Sequence, residues 1–329
     1  MNQSMNLIDL HCDTLFRLSG EKAGQDLKNT DCNVNLSGMR ETGTMAQFFA
    51  CFTCLKEQQG DRGKEEGFEQ CFYQVLDMIG LMEKQCTMFP EEIALAQSYE
   101  EIMKNKKEGK ISAVLTVEEG GILNENPDRI KILYEKGVRL MTLMWNYENC
   151  LGYPNSRDVR VMEQGLKDFG IETVRQMGKL GMIADVSHAS DGTFRDIIKY
   201  AEGPVAASHS NCRALCSHPR NLSDDMIHAL ADKGGIAGLN FYGVFLGTER
   251  ESRIEEMAAH ILHMIKIGGR EFPAVGTDFD GFGGMEHMDI PNISQMRRLW
   301  EKLKEKGVSE DQLDLIWGGN ALRVLKTLR

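Results

Sequence analysis

The chain has 329 residues, 42% of them hydrophobic and 26% charged, with a formal net charge of -11. This length and composition can bury a large core, and they suit one α/β barrel of about 250 residues with added segments. The acidic balance without a long Lys and Arg cluster argues against a nucleic-acid partner, and the lack of about eighteen consecutive apolar residues argues against a membrane span.

The first predicted strand is the apolar run LIDLHC, and two potential metal ligands stand at its end. His11 and Asp13 are two residues apart, so their side chains project from the same side of the strand end. Cys12 faces the opposite side, and we expect it to pack in the core. Imidazole and carboxylate groups are common zinc ligands. The pair therefore indicates a metal site, with a surface pair beside a turn as the alternative.

A second strand and two helices are predicted next. Three phenylalanines favour strand structure at about residues 45–53, and the segment 68–86 has apolar residues at helical spacing. Another helix is predicted at about 99–107, where Ser98 and Glu101 have the spacing of a capping box.

The third and fourth strands lead into polar segments. The third, ISAVLTV, is followed by Glu118 and Glu119 and then by two glycines. The fourth, GVRLMTLMW, follows a short helix near 127–135 and ends at Trp145. The loop WNYENCLGYPNSRD then departs from this strand end. It is longer than most connections, so it is either a substrate-contacting loop or a packed surface loop.

Four further strands continue the alternation, and three of them finish in ligand-type residues. The fifth, MIADVSH, ends at His188, and the sixth, PVAASHS, contains His209. The seventh is GGIAGLNFYG, and the eighth, PAVGTDFDG, carries Asp278 and Asp280. Ligands at five separate strand ends indicate a shared site more strongly than any one histidine, which alone would favour a hydrogen-bonded core residue.

Helical segments separate these strands and form the tail. They are predicted at about 161–180, at 193–201 and after Ser223, which we expect to cap its helix. A later helix carries His260 and His263, and we expect these two to face solvent rather than to bind a metal. Further helices are predicted from about residue 290 onward.

Eight strands alternating with helices predict a (β/α)8 TIM barrel rather than a doubly wound sheet. No Gly-rich phosphate-binding sequence follows the first strand. In TIM barrels the active site lies at the C-terminal ends of the strands, where the ligand-type residues of this chain stand. We therefore expect residues 1–329 to form a single barrel domain with C-terminal helices, and a metal site at the strand C-termini.

The cysteines and the first residues predict the compartment. Nine cysteines are an odd number without a disulfide framework, so we expect reduced thiols. Cys51 and Cys54 form a CxxC sequence, but no second CxxC accompanies it, and buried strand cysteines are the favoured interpretation. The sequence MNQSMN shows neither a basic region nor an apolar signal segment. We expect a cytoplasmic protein.

The ordered motifs resemble the membrane dipeptidase family, also called renal dipeptidase, the M19 peptidases of the amidohydrolase superfamily. The resemblance runs from HxD through EGG, DVSH, SHS, RN and DFDG to WGGNALRVL, nearly the whole chain. It implies a binuclear site with two zinc ions per chain, bound by His11, Asp13, Glu119, His188 and His209. Glu119 would bridge the ions, because the family's glutamate immediately precedes the glycine pair, and Glu118 is the alternative.

The resemblance also implies roles at three other positions. Asp280 matches the family's catalytic aspartate, and Asp278 is the reserve choice. Arg220 matches the arginine that holds the substrate carboxylate, although it could instead pin its loop to Asp224 or Asp225. Trp145 stands where the animal enzymes have a substrate-contacting histidine, so substrate preference is expected to differ here.

The expected activity is the zinc-dependent hydrolysis of dipeptides by a metal-bridged water. Two metals that share a water can lower its pKa towards about 7 and so supply hydroxide at neutral pH. The alternatives are a metal-dependent amidohydrolase acting on another amide, lactam or ester, and a non-catalytic metal-binding protein. The resemblance also implies a homodimer.

Overall fold

Eight parallel strands form a closed barrel in the computed structural model, which describes residues 5–55 and 64–328. Pairing of β2 with β4 and of β1 with β10 closes the ring, while β3 lies beside the start of β4, and β9 pairs with β11 in a separate small sheet. The strands are β1 (Leu7–Cys12), β2 (Thr44–Phe52), β3 (Ile93–Leu95), β4 (Ile111–Glu118), β5 (Val138–Thr142), β6 (Ile183–Asp185), β7 (Val205–Ala207), β8 (Ile236–Leu239), β9 (Glu251–Ser252), β10 (Pro273–Val275) and β11 (His287–Met288).

Helices follow the barrel strands, as the TIM barrel pattern requires. They are α1 (Thr14–Ser19), α2 (Leu36–Thr42), α3 (Lys64–Met88), α4 (Tyr99–Lys107), α5 (Asp128–Glu135), α6 (Val159–Met162), α7 (Asp168–Leu180), α8 (Asp191–Tyr200), α9 (Asp224–Asp232), α10 (Gly243–Leu246), α11 (Ile254–Gly268), α12 (Arg297–Glu305), α13 (Glu310–Asp314) and α14 (Asn320–Leu325). Within the described ranges, no helix combines the length and the apolar character needed to cross a bilayer.

The barrel interior is filled by apolar side chains from all eight of its strands. These side chains are Ile8, Phe48, Val114, Leu140, Ile183, Ala206, Ile236 and Ala274. Ala321, Val324 and Leu325 of α14 pack against the same cluster. A second, larger cluster lies between the strands and the surrounding helices, and it includes Cys12.

The eight barrel strands predicted from the sequence are confirmed, and so is the helix at 99–107 with its Ser98 cap. The short strands β3, β9 and β11 were not predicted, because two or three residues carry too little periodicity to be recognised. The segment predicted as one helix at 161–180 divides into α6 and α7. All nine cysteines lie in the described ranges, and none of them forms a disulfide.

The prediction that His260 and His263 face solvent is wrong for His260. Its side chain is buried, and its Nδ1 accepts a hydrogen bond from the Cys212 backbone N–H at 3.1 Å. His263 is partly buried and pairs with Asp224 at 2.7 Å. The two histidines stabilise the packing of α11 against the segments around them, which residue type and spacing alone could not indicate.

Candidate metal centre

Six ligand-type side chains meet at the C-terminal end of the barrel. They come from five strand ends, and they are His11, Asp13, Glu118, His188, His209 and Asp278. They form three overlapping groups, and within each group the potential ligand atoms lie within 4.8 Å of one another. The first five are buried and Asp278 is partly buried.

Glu118, the last residue of β4, lies between the two sides of this cluster. Its Oε2 is 3.4 Å from His11 Nε2, whereas its Oε1 is 3.1 Å from His188 Nε2 and 3.6 Å from His209 Nε2. Asp13 Oδ2 lies 3.1 Å from His11 Nε2 on the first side. One carboxylate therefore presents a separate oxygen to each of two ligand groups.

The electrostatics of the cluster fit bound cations. Burial disfavours a charge on His11, but the carboxylates of Glu118 and Asp13 raise the pKa of this histidine well above its usual value. Burial alone would raise the pKa of Glu118, yet His11 and hydrogen bonds from the other histidines hold it well below its usual range. Asp13 Oδ1 is buried and has no hydrogen-bond partner within residues 5–55 and 64–328. Imidazole nitrogens and carboxylate oxygens form the donor set that zinc accepts.

Two histidines are oriented through their second ring nitrogen. His188 Nδ1 lies 2.9 Å from Asn146 Oδ1, an acceptor, so Nδ1 carries the proton and Nε2 is left for a metal. His209 Nδ1 lies 2.7 Å from Ser208 Oγ, which donates to Asp185 Oδ2 at 2.5 Å. Sequence reasoning missed these three partners, although Asp185 and Ser208 stand inside the DVSH and SHS motifs.

The structure does not place Glu119 in this cluster, and the preference for it over Glu118 is corrected here. The Glu119 carboxylate is turned away and accepts hydrogen bonds from the Gly121 N–H at 2.8 Å and from Asn149 Nδ2 at 2.6 Å. Burial raises the pKa of Glu119 to about 7. Consecutive residues at a strand end point to opposite sides, so only one of the two glutamates can face the centre. Counting this alternation along β4 would have been the available sequence signal.

Asp280 and Asp278 also have different surroundings from those expected. Asp280 accepts hydrogen bonds from Thr14 Oγ1 at 2.7 Å and from the Asn33 N–H at 2.8 Å, so its carboxylate holds the segment that follows α1. Asp278 Oδ1 is 3.8 Å from His11 Nε2, and its Oδ2 accepts from Asn240 Nδ2 at 2.8 Å. Burial and the negative charges of Asp13 and Glu118 together raise the pKa of Asp278 to about 7. The geometry favours the reserve choice, Asp278, because its carboxylate belongs to the cluster, whereas that of Asp280 does not.

Arg220 lies beside the cluster, but it is not tied to its own loop by acidic residues. Its Nη1 donates to Ser210 Oγ at 2.6 Å and its Nη2 donates to the His209 carbonyl at 3.0 Å, while its buried Nε has no hydrogen-bond partner among the residues that the structure describes. In the described part of the chain, Arg220 forms no ion pair with Asp224 or Asp225.

A cavity of about 300 Å³ opens over the cluster, and six aromatic side chains are among the residues that line it. Glu118, His188 and Asp278 of the cluster also line it. The aromatic residues are Phe16, Phe52, Trp145, Tyr242, Phe245 and Phe282. The Trp145 ring is 4.9 Å from the Phe52 ring, in an edge-to-face arrangement. The residue expected at the family's histidine position thus lines the cavity beside the ligands.

The sequence is similar to those of several known proteins. The family model described as membrane dipeptidase (peptidase family M19) matches residues 1–329. An uncharacterized dipeptidase of Schizosaccharomyces pombe is 29% identical over 300 residues, which cover 89% of this chain and 72% of the relative. An uncharacterized Klebsiella pneumoniae protein is 31% identical over 246 residues, 72% of this chain and 89% of the relative.

Solved structures share the fold. A metallopeptidase described as dipeptidase AC of family M19 has a TM-score of 0.89 at 22% identity, with 99% of both chains covered. A Rhodobacter sphaeroides metallopeptidase, solved with a phosphinate mimic of the dipeptide L-Ala-D-Ala, has a TM-score of 0.87 at 21% identity, with 99% of this chain and 100% of that chain covered.

Proposed function

Because this chain belongs to the membrane dipeptidase family, peptidase family M19, and is thus a metallo-dipeptidase, we propose that it hydrolyses dipeptides with two zinc ions at the C-terminal end of its barrel. The observation that carries this proposal is the position of Glu118, whose two carboxylate oxygens face two separate groups of ligands. A single ion would not need a carboxylate directed to both sides.

His11 and Asp13 would hold one ion, His188 and His209 the other, and Glu118 would bridge them. Two ions held in this way would supply an activated water near neutral pH and would polarise the carbonyl that is attacked. Asn146 and Ser208 keep the Nδ1 atoms of the two histidines engaged, so that each Nε2 is directed into the cluster.

Asp278 is the residue proposed to move the proton. Its Oδ1 lies at the edge of the cluster, and Asn240 holds its other oxygen at 2.8 Å, so the carboxylate is fixed in orientation. A carboxyl group positioned in this way can take a proton from the attacking water and give it to the leaving amine. Asp280 would act indirectly, by holding the segment at Asn33 against the mouth of the barrel.

Arg220 is proposed to recognise the free carboxylate of a dipeptide. Its planar guanidinium suits a carboxylate, and its Nε has no partner in the described residues. A fixed cation near the ligands would distinguish a dipeptide from a longer chain, which lacks a carboxylate at that distance. Trp145 would contact the substrate side chain from the cavity wall.

The experiment that tests the function is a hydrolysis assay with purified protein, zinc and a panel of dipeptides. We expect dipeptides to be cleaved, tripeptides and C-terminal amides to be poor substrates, and chelation to abolish activity until zinc is restored. Hydrolysis of a lactam or ester without hydrolysis of any dipeptide would support the alternative amidohydrolase activity. Full activity in protein that contains no metal would overturn the proposed mechanism.

A further inference from the structure

Glu119 is a buried acid that the proposed chemistry does not use. It follows Glu118 directly, it is 0% exposed, and its backbone φ is 88°. That left-handed conformation suits glycine and strains other residues, so it persists only where the surroundings hold it. An ionisable side chain at a strained, buried position next to the ligand cluster must be held there by specific hydrogen-bond partners.

The partners of Glu119 are four hydrogen-bond donors. Gly121 N–H and Asn149 Nδ2 donate to Oε1 at 2.8 and 2.6 Å, and the Trp145 N–H donates to Oε2 at 3.3 Å. The Tyr147 hydroxyl accepts a hydrogen bond from the Leu55 N–H at 2.7 Å and donates a hydrogen bond to Glu119. A carboxylate offers about four acceptor sites and no donor, so this set fits a carboxylate and not an amide.

Three of these four donors belong to one segment, residues 145–149, which leaves the end of β5. The segment bears two groups that face the site. The Trp145 ring lines the cavity and lies 6.4 Å from the His188 ring, and Asn146 Oδ1 is bonded to His188 Nδ1. Asn149 Oδ1 also accepts from the Leu151 N–H at 2.8 Å, which secures the far end of the segment.

The Trp145 ring is one part of an apolar wall. It packs edge to face on Phe52, and Phe52 packs edge to face on Phe16, with ring centres 5.2 Å apart. Phe16 is 44% exposed at the mouth of the cavity, so this wall is open to a ligand. Its surface would favour a substrate with a large apolar side chain over one with a small or acidic side chain.

We propose that Glu119 is a positioning residue that fixes the segment 145–149, and thereby sets the preference of the enzyme for dipeptides with large apolar side chains. The proposal of a side-chain preference rests on the proposed dipeptidase function, whereas the anchoring of the segment does not. The two adjacent glutamates then have separate roles. Glu118 binds metal, whereas Glu119 positions the apolar wall that selects the substrate.

The test compares Glu119→Gln with the wild type in three measurements. The amide keeps the size of the side chain but directs an NH2 group at donors, so hydrogen exchange in residues 145–149 should become about tenfold faster or more. Zinc content should be unchanged. The ratio of kcat/KM for a large apolar dipeptide to that for Gly-Gly should fall about fivefold or more, mainly through KM.

Two further variants make the test specific. Trp145→Ala should lower the same ratio of kcat/KM values. Adding Glu119→Gln to Trp145→Ala should have little further effect, because both changes disrupt the same apolar wall. Glu125→Gln is the matched control, since Glu125 is an exposed acid with φ of 55° in the same loop, and it should leave all three measurements unchanged.

Each contrary result would point to a different failure of the proposal. Loss of zinc from Glu119→Gln with unchanged exchange in residues 145–149 would make Glu119 a ligand and overturn the proposal. An equal fall in kcat for all dipeptides would overturn the selectivity role. If the wild type cleaves no dipeptide, the proposed function fails, but unchanged exchange in Glu119→Gln would still refute the anchor and faster exchange would still support it.

Discussion

Two aspartates that stand two residues apart differ in what their carboxylates contact. Asp278 lies at the edge of the ligand cluster with one oxygen held by Asn240, whereas Asp280 is surrounded by donors from Thr14 and Asn33. The contacts of Asp278 leave one of its oxygens for proton transfer, whereas Asp280 uses both of its oxygens to hold a loop. Single substitutions should therefore separate a catalytic role from a positioning role.

We expect Asp278→Asn to lower kcat by about 100-fold or more while zinc stays bound, since the amide cannot carry the proton. Asp280→Asn should have a smaller effect on kcat and should cost about 1–3 kcal/mol of unfolding free energy, because its NH2 group would face buried donors. Steady-state kinetics, metal content and thermal unfolding of both variants check this. A near-normal kcat in Asp278→Asn would return the role to Asp280 or to solvent.

Arg220 offers a second prediction at the scale of one residue. Arg220→Met should cost about 2–4 kcal/mol, about thirtyfold or more in kcat/KM, for free dipeptides and much less for the same dipeptides amidated at the C-terminus. Arg195→Met is the control, because Arg195 is an exposed residue of α8 that pairs with Glu163 at 2.6 Å, and its loss should leave kcat/KM unchanged for acids and amides alike. An equal loss for acids and amides in Arg220→Met would make this residue structural.

At the scale of elements, the site is built on turns that immediately follow the barrel strands. Left-handed, non-glycine backbone occurs at Glu119, His188, Asp278 and Asp280, four positions around the same strand ends. Asp185, at the end of β6, accepts from Thr142 Oγ1 at 2.6 Å and from Ser208 Oγ at 2.5 Å, and so joins the ends of β5, β6 and β7. The strained turns are held by such buried hydrogen bonds, which also orient the ligands.

Removing one of these bonds should weaken metal binding without changing a ligand. We expect Ser208→Ala to reduce zinc affinity by about 10- to 100-fold, because His209 Nδ1 loses its partner. Competition with a chelator of known affinity measures this. Ser223→Ala is the control, since Ser223 caps α9 away from the cluster and its loss should cost about 1 kcal/mol of stability with no change in zinc affinity. Equal zinc affinity in the two variants would contradict the orienting role.

At the scale of the whole molecule, the ligand cluster joins strands that are far apart in the chain. His11 stands near the start of the chain, Glu118 about a third of the way along it, and Asp278 near its end. Two buried carboxylates, Asp13 and Glu118, and the partly buried Asp278 repel one another in this cluster unless cations are present. Metal that binds only the folded state therefore adds to the stability of the entire barrel.

Chelation should consequently lower the unfolding temperature as well as the activity. Zinc at a free concentration of 100 times its Kd would add about 2.7 kcal/mol to the unfolding free energy. Thermal unfolding should show a lower unfolding temperature for the chelated wild type than for the zinc-loaded wild type. In Glu118→Gln this difference in unfolding temperature should be smaller, because both ions lose a ligand. Identical unfolding temperatures in chelated and zinc-loaded wild type would contradict a preformed site in the folded barrel.

The sequence by itself determined the barrel and the set of residues around its site. Periodic strands and helices need only local patterns, and ligand-type residues at the ends of five strands lie together in any parallel barrel. The tertiary structure decided which member of each pair of acids faces the ligand cluster: Glu118 rather than Glu119, and Asp278 rather than Asp280. One step along a strand end reverses the direction of a side chain, and in the turn after β10 left-handed backbone re-aims each aspartate. Partners such as Asn146 for His188 arise from contacts between distant segments, which a one-dimensional pattern does not contain.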